Sequence, residues 1–253
     1  MKPEGVFFDL YGTLLMPGDQ EAAWSDWLLT FHRSISELGV SVTREALKRA
    51  CDGLFSRPAP SCGGDGLTIF ERRLLDVCRE LSGEFAEDDA RTVAYDCVSA
   101  WQRHVLLDPQ AVPVLEKLGT GRKLALISNF DHPPHVHALL SDMGLRAFFD
   151  AVVISGEVGV KKPDPGIFHI ALGRTGLRPD KVVYVGDSAE DVEGALATSL
   201  TPILIRRGDG ESDAMISDFR ATGRREEGLS ITTKYRGVLT IRQLTSLLDL
   251  IGD

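Results

Sequence analysis

Apolar positions follow two rhythms along this chain. Toward both ends they gather in short runs, Val6–Phe8, Lys123–Ile127, Ala151–Ile154, Val182–Val185 and Pro202–Ile205, bounded by Asp, Gly or other polar residues. Runs of that length with those boundaries predict buried strands. Helical periodicity fills the gaps over Pro133–Met143, Pro165–Arg174 and about Ala189–Thr198. Strand and helix alternating in this way predict parallel pairing, with the sheet buried between two helical layers. A last helix is expected over Ile241–Ile251, where Leu244, Leu247, Leu248 and Ile251 share one face and should close the sheet.

The second rhythm covers about Gly18 to Leu107, which reads as helical throughout. Trp24, Trp27, Leu28, Phe31, Ile35 and Leu38 recur at three- and four-residue steps, an amphipathic stripe. Thr43 can cap a second helix carrying Ala46, Leu47, Ala50 and Leu54. Leu67, Phe70, Leu74, Val77 and Leu81 mark a third, and Ala90, Val93, Ala94, Cys97, Val98 and Trp101 a fourth. The aromatics in these stripes are expected in the core rather than against a substrate. Two segments lack periodicity. Arg57–Gly66 is rich in Pro and Gly and reads as a loop, either a plain surface connection or a specificity loop reaching the site. Arg207–Gly237 is long and polar, and loops of that length are uncommon in compact domains.

Composition narrows the function classes. With 253 residues and 43% hydrophobic content, the chain can bury a sizeable core as one large α/β domain or a core plus a smaller domain. A net charge of −9 argues against nucleic acid or an anionic membrane as partner, since both require a basic footprint. No apolar stretch reaches the roughly 18 residues of a membrane span. The N-terminal Met1–Gly5 runs straight into a strand-like segment, so no signal peptide is expected, and a cytoplasmic location follows. Cys51, Cys62, Cys78 and Cys97 form no C-x-x-C pair, and those on apolar helical faces predict buried thiols rather than zinc ligands or disulfides.

Four short motifs carry the candidate chemistry: Asp9-Leu-Tyr-Gly-Thr13, Ser128-Asn129, Lys162-Pro163 and Gly186-Asp187-Ser-Ala-Glu-Asp191. Asp9, Ser128 and Asp187 each fall at or just after a predicted strand, where ligands bind in parallel sheets. In this order and placement the motifs resemble the haloacid dehalogenase-like hydrolase superfamily. The resemblance implies a doubly wound, Rossmann-like α/β core over residues 1–16 and 108–253. It also implies an inserted four-helix cap domain over 17–107 that closes over the site.

The resemblance makes Asp9 the nucleophile of a hydrolase acting on a small phosphorylated metabolite through an aspartyl-phosphate, which splits one hard displacement into two. Gly12 permits the sharp turn after the strand. The hydroxyls of Thr13 and Ser128 and the Asn129 amide suit phosphoryl oxygens, and Lys162 is placed beside the nucleophile. Asp9, Asp187 and Asp191 would crowd three negative charges, and two like charges about 4 Å apart cost about 4 kcal/mol at an effective dielectric near 20. One lysine cannot balance that, so Mg²⁺ is expected, held by Asp9, Asp187, Asp191 and the Tyr11 backbone carbonyl. Tyr11 is a departure, because phosphatases of this superfamily carry a second Asp there for acid–base work, and tyrosine's ordinary pKa near 10 suits that task poorly. Asp-x-Tyr-Gly-Thr is what the superfamily's 2-haloacid dehalogenases show, whereas Gly-Asp-Ser-x-x-Asp is the metal-binding form of the fourth motif. The dehalogenases also grip the substrate carboxylate with an arginine early in the cap; none is evident at that place here, and Arg33 or Arg57 are the stand-ins. A non-catalytic binding protein of the same fold is the third reading. Asp131, His132 and His135 are the candidate substitutes for the missing acid–base group.

Overall fold

The computed structural model describes residues 2–60, 66–207, 235 and 237–252. The elements run β1 (Gly5–Phe8), β2 (Leu15–Pro17), α1 (Gln20–Glu37), α2 (Arg44–Ala50), α3 (Ile69–Ser82), α4 (Glu87–Gln102) and β3 (Val105–Leu107). They continue with α5 (Ala111–Gly119), β4 (Lys123–Ser128), α6 (Pro133–Asp142), β5 (Ala151–Ile154), α7 (Ser155–Val158), α8 (Pro165–Thr175) and β6 (Val182–Gly186). Last come α9 (Ala189–Ala197), β7 (Thr201–Ile205), β8 (Leu239–Ile241) and α10 (Ser246–Ile251).

The main sheet has six strands in the order β5-β4-β1-β6-β7-β8, every pair parallel. Successive side chains of a strand face opposite ways, and the two faces build two cores. Val6, Phe8, Leu124, Leu126, Val183 and Val185 belong to one, which continues into the inserted helices. Phe7, Ala125, Ile127 and Tyr184 belong to the other, beneath Ile167, Phe168 and Ala171 of α8 and Ala195 of α9. This is the expected doubly wound α/β architecture. Strand order reverses around β1, between β4 on one side and β6 on the other. The carboxyl ends of those three strands therefore form the crevice.

Four helices stand between β2 and β3, as the periodicity predicted. Thr43 caps α2 by accepting the Ala46 N–H at 3.2 Å. Thr68 and Glu71 form a reciprocal capping box at the start of α3. Trp27 is fully buried, stacked on Trp24 at 4.9 Å between centroids and edge-on to Phe31 at 5.3 Å. Cys51, Cys78 and Cys97 are free and buried, and burial pushes the Cys51 and Cys78 thiols up to about 12. Cys62 lies outside the described residues, as do Ser61–Asp65 of the 57–66 loop and most of the 207–237 stretch.

Three expectations need correction. The 18–107 stretch is not helical throughout: Val105–Leu107 is a strand, paired antiparallel with Leu15–Pro17. Ile241 does not open the last helix. It ends β8, which pairs with β7, and α10 starts only at Ser246. The sheet's last strand, not the helix, completes that edge, while Leu244, Leu247 and Ile251 pack onto the core. Leu38, read as part of the α1 stripe, is exposed at the helix C-cap.

Candidate active site

Asp9 follows β1 directly and is almost wholly buried. Its loop turns tightly: Leu14 and Leu15 N–H both return to the Leu10 carbonyl, at 2.9 and 2.8 Å, and Gly12 N–H reaches Leu15 O at 2.7 Å. Gly12 has φ +92°, and a Cβ there would lie 2.1 Å from Asp187 Oδ2. A side chain at position 12 would thus be strained and would also push Asp187 away. At Gly186 a Cβ would meet Asp191 Cγ at 2.3 Å, so both glycines make room for carboxylates.

Lys162 is the hub. Its Nζ donates to Asp9 Oδ1 at 2.6 Å, to Asp191 Oδ1 at 2.7 Å and to Tyr184 Oη at 3.1 Å. The Lys162 main chain is held in turn by Asn129, whose Oδ1 accepts Lys162 N–H at 2.8 Å and whose Nδ2 donates to Lys162 O at 3.0 Å. Asn129 Nδ2 also faces Glu190 Oε2 at 3.3 Å. The Asn129 amide, expected to meet a phosphoryl group, is here occupied in placing the lysine.

Asp191 is the best satisfied of the carboxylates. Its Oδ1 takes Lys162 and, at 2.7 Å, the Tyr184 hydroxyl. Its Oδ2 accepts Asp187 N–H at 3.2 Å, Ser188 N–H at 3.0 Å and Ser188 Oγ at 2.7 Å. Ser188 caps α9, so the helix start fixes the geometry, and the four-residue spacing puts Asp187 and Asp191 at one place. Burial pushes the Asp191 carboxyl up, but Lys162 and the donated hydrogen bonds outweigh it and hold it below the usual carboxylate range. Both Asp191 oxygens are thus engaged, with the lysine and Tyr184 on one side and the start of α9 on the other.

The remaining atoms point to a ligand. Asp9 Oδ2, Asp187 Oδ1, Thr13 Oγ1 and Ser128 Oγ are buried and have no hydrogen-bond partner among the described residues. Unpaired buried polar groups are costly, and these four belong to the first, second and fourth motifs. Ligand oxygens of Asp9, Asp187 and Asp191 lie within 4.8 Å of one another. Burial, only partly countered by Lys162, pushes Asp9 up to about 7. Burial, then the charges of Asp9 and Asp191, pushes Asp187 well above its ordinary value. For Lys162 the cost of burial is outweighed by Asp191 and Asp9, which hold it firmly protonated. Two carboxylate oxygens of this set remain without a hydrogen bond among the described residues, and such oxygens suit a hard divalent ion that retains waters.

Tyr11 is buried, stacked on Phe130 at 5.0 Å and tilted against Trp101 at 5.3 Å. Its hydroxyl donates to Gln102 Oε1 at 3.1 Å, at the end of α4, and His135 Nε2 meets the same oxygen at 3.0 Å. Burial, then Asp9, pushes the Tyr11 hydroxyl well above its ordinary value. The three candidate substitutes are engaged elsewhere. Asp131 faces Arg73 at 3.4 Å, and His132 Nδ1 faces Thr68 Oγ1 at 3.0 Å. Burial and the neighbouring His132 lower His135 to about 4. Arg57 donates to the Ala50 and Asp52 carbonyls at 2.8 and 3.2 Å, and Arg33 lies by Cys97 in the helical insertion. Neither stands at Asp9. Tyr184 and Glu190 join the cluster unannounced. Tyr184 carried a faint signal, a polar-tipped residue two positions before Gly186 in an otherwise aliphatic strand.

A family model for haloacid dehalogenase-like hydrolases matches residues 3–197. The chain belongs to this family. Among curated members it is 28% identical over 212 residues to the phosphoglycolate phosphatase of Yersinia pseudotuberculosis, covering 83% of this chain and 84% of the relative. It is 35% identical over 125 residues to the glyceraldehyde 3-phosphate phosphatase of Methanopyrus kandleri, and there the match spans 47% of this chain and only 53% of the relative. A solved haloacid dehalogenase-like structure, the 2-haloacid dehalogenase of Pseudomonas syringae pv. Tomato, superposes with a TM-score of 0.65 at 21% identity, covering 99% of this chain and 98% of that one. The fold is therefore shared with a dehalogenase, and the choice of reaction rests on side chains. No helix among the described residues of this hydrolase is long and apolar enough to cross a membrane.

Proposed function

We propose that this hydrolase is a Mg²⁺-dependent phosphatase of a small phosphorylated metabolite, working through an aspartyl-phosphate on Asp9. One observation carries the reading: two buried hydroxyls and two buried carboxylate oxygens, all without partners among the described residues, converge from the first, second and fourth motifs. Hydroxyl donors suit phosphoryl oxygens, and paired carboxylates suit the cation that accompanies them. The phosphatase names of the curated relatives support the same choice.

Asp9 and Asp187, with the Tyr11 backbone carbonyl, would hold the ion, and Asp191 would act by fixing Lys162. When bound, Mg²⁺ supplies charge neutralisation at a phosphoryl oxygen. In the chemistry of the chain itself, Lys162 holds Asp9 Oδ1, leaving Oδ2 to attack phosphorus. Thr13 and Ser128 donate to the phosphoryl oxygens. The phosphorus–oxygen bond to the leaving group breaks with its electron pair going to that oxygen, and water then releases phosphate from Asp9. The helical insertion, residues 17–107, would serve as a cap over the 1–16 and 108–253 core, with Gln102, Thr68 and Arg73 as its contacts to the core loops.

Dehalogenation has Tyr11 in its favour. Asp187 beside Asp9 counts against it, since a second carboxylate repels a haloacid's own. The experiment is a panel of phosphate esters and 2-haloacids, each assayed with Mg²⁺ and with chelator. Phosphate release that requires Mg²⁺ supports the proposal. Halide release that persists in chelator overturns it.

A further inference from the structure

Arg207 lies two residues beyond β7, far in sequence from any motif, yet it grips the nucleophile loop. Its Nη1 donates to Gly12 O at 2.5 Å and its Nη2 to Thr13 O. The same guanidinium holds Asp108 Oδ2 through Nε at 3.0 Å and Nη2 at 2.7 Å. Asp108 is buried and follows β3 directly. Its N–H donates to Leu14 O at 3.0 Å, and its Oδ1 accepts Gln110 N–H at 2.8 Å. One side chain thus ties three separate strand ends together: the loop after Asp9, the return from the helical insertion, and the exit of β7.

We propose that Arg207, braced by Asp108, is a positioning residue of this site. The proposal rests on the reading of Asp9 as nucleophile. Arg207 touches no reacting atom. It acts through Gly12 and Thr13, whose carbonyls it anchors. The Gly12 Cα abuts Asp187, and Thr13 carries one of the unpartnered buried hydroxyls. Across a planar trans peptide, turning the Gly12 carbonyl toward Arg207 turns the Thr13 N–H the opposite way. Releasing the two carbonyls would free both the hydroxyl and the glycine wall against Asp187. A lysine cannot replace this grip, because a single ammonium lacks the planar fork that serves two carbonyls and a carboxylate together.

The test uses the full chain and the variants Arg207→Ala, Arg207→Lys and Asp108→Asn, with two measurements. The first is steady-state kinetics on a phosphate ester the wild type turns over, with kcat and KM separated. Small misplacements of reacting groups cost up to about 10²-fold, so we expect kcat to fall about 10- to 100-fold for both Arg207 variants. Asp108→Asn should fall less, and KM should stay within about threefold. The second is amide hydrogen exchange. Peptides covering Gly12–Leu15 should exchange at least about tenfold faster in the variants, with β6 unchanged. A kcat within about twofold of wild type, or exchange accelerated evenly across the sheet, overturns the proposal. If Arg207→Ala does not fold, Arg207→Lys and Asp108→Asn carry the same criteria. If the wild type turns over no phosphate ester, the phosphatase reading fails by itself. Exchange at Gly12–Leu15 then decides the clamp alone: local acceleration upholds it and unchanged exchange overturns it.

Discussion

Replacing Lys162 by Met keeps the apolar stem and removes the charge that sits 2.6 Å from Asp9 and 2.7 Å from Asp191. In metal-free protein the consequence depends on pH. Asp9 is pushed up from 3.8 to about 7. At about 1.4 kcal/mol per pH unit, keeping it ionised in the fold costs about 4 kcal/mol. Because the folded value lies above the unfolded one, that penalty is absent below about pH 4 and grows as pH rises toward 7. In wild type Lys162 limits the penalty. Without it Asp9 titrates higher still, the cost keeps growing past pH 7, and Asp191 loses the cation that holds it ionised. Removing one partner of a buried ion pair typically costs about 3–5 kcal/mol. The expected gap between wild type and variant is of that size at pH 8.5 and smaller by about 1 kcal/mol or more at pH 5. Urea unfolding in EDTA at pH 5, 6.5 and 8.5, with each midpoint and slope fitted, measures it. A gap below about 1 kcal/mol at pH 8.5, or one independent of pH, would refute the argument that Lys162 is the counter-charge of this cluster.

Asp9→Asn should abolish phosphate release while near-ultraviolet circular dichroism stays that of the native fold; more than a trace of residual turnover would mean a different nucleophile. Chelation should remove activity and Mg²⁺ restore it, and Mg²⁺ should raise the melting temperature of wild type more than that of Asp187→Asn, an outcome lost if full turnover persists in metal-free buffer. Because the Tyr11 hydroxyl is turned to Gln102, kcat/KM should be much higher for aryl or acyl phosphates than for alkyl phosphates. Tyr11→Asp should recover part of the roughly 10²–10⁴-fold that acid–base catalysis contributes. Equal wild-type kcat/KM across leaving groups of very different pKa, with chemistry rate-limiting, would show that another group protonates the leaving oxygen.

The five longer strands of the sheet were legible because each is four to six residues of largely buried apolar chain. Five parallel strands buried on both faces leave that imprint regardless of their neighbours. The three-residue strands left none. Leu15–Pro17, Val105–Leu107 and Leu239–Ile241 are too short for a period of two to register, and only their partners make them strands. Ile241 shows the cost, since its apolar side chain continued the helical stripe of Leu244 and Leu248 as readily as it ends β8. At the site, local spacing brought out Asp187 and Asp191, and motif order brought out Asp9, Ser128 and Lys162, which the fold gathers at adjacent strand ends. Spacing could not reveal that Asp191 is saturated, because its partners Tyr184 and Lys162 come from other elements. Nor could it reveal Arg207, whose contact with Gly12 spans 195 positions.

The short ribbon of β2 and β3 bears on what this fold permits over evolutionary time. The chain leaves the sheet at Leu15–Pro17 and returns at Val105–Leu107 along the same line, and Gly18 N–H donates to His104 O at 2.8 Å. The two ends of a long helical excursion are thus already neighbours. A sequence of another length, or none beyond a tight turn, meets the same two attachment points without altering the strand order. The proposed cap can be exchanged by recombination at one seam, while the residues on the strand ends inherit their positions unchanged.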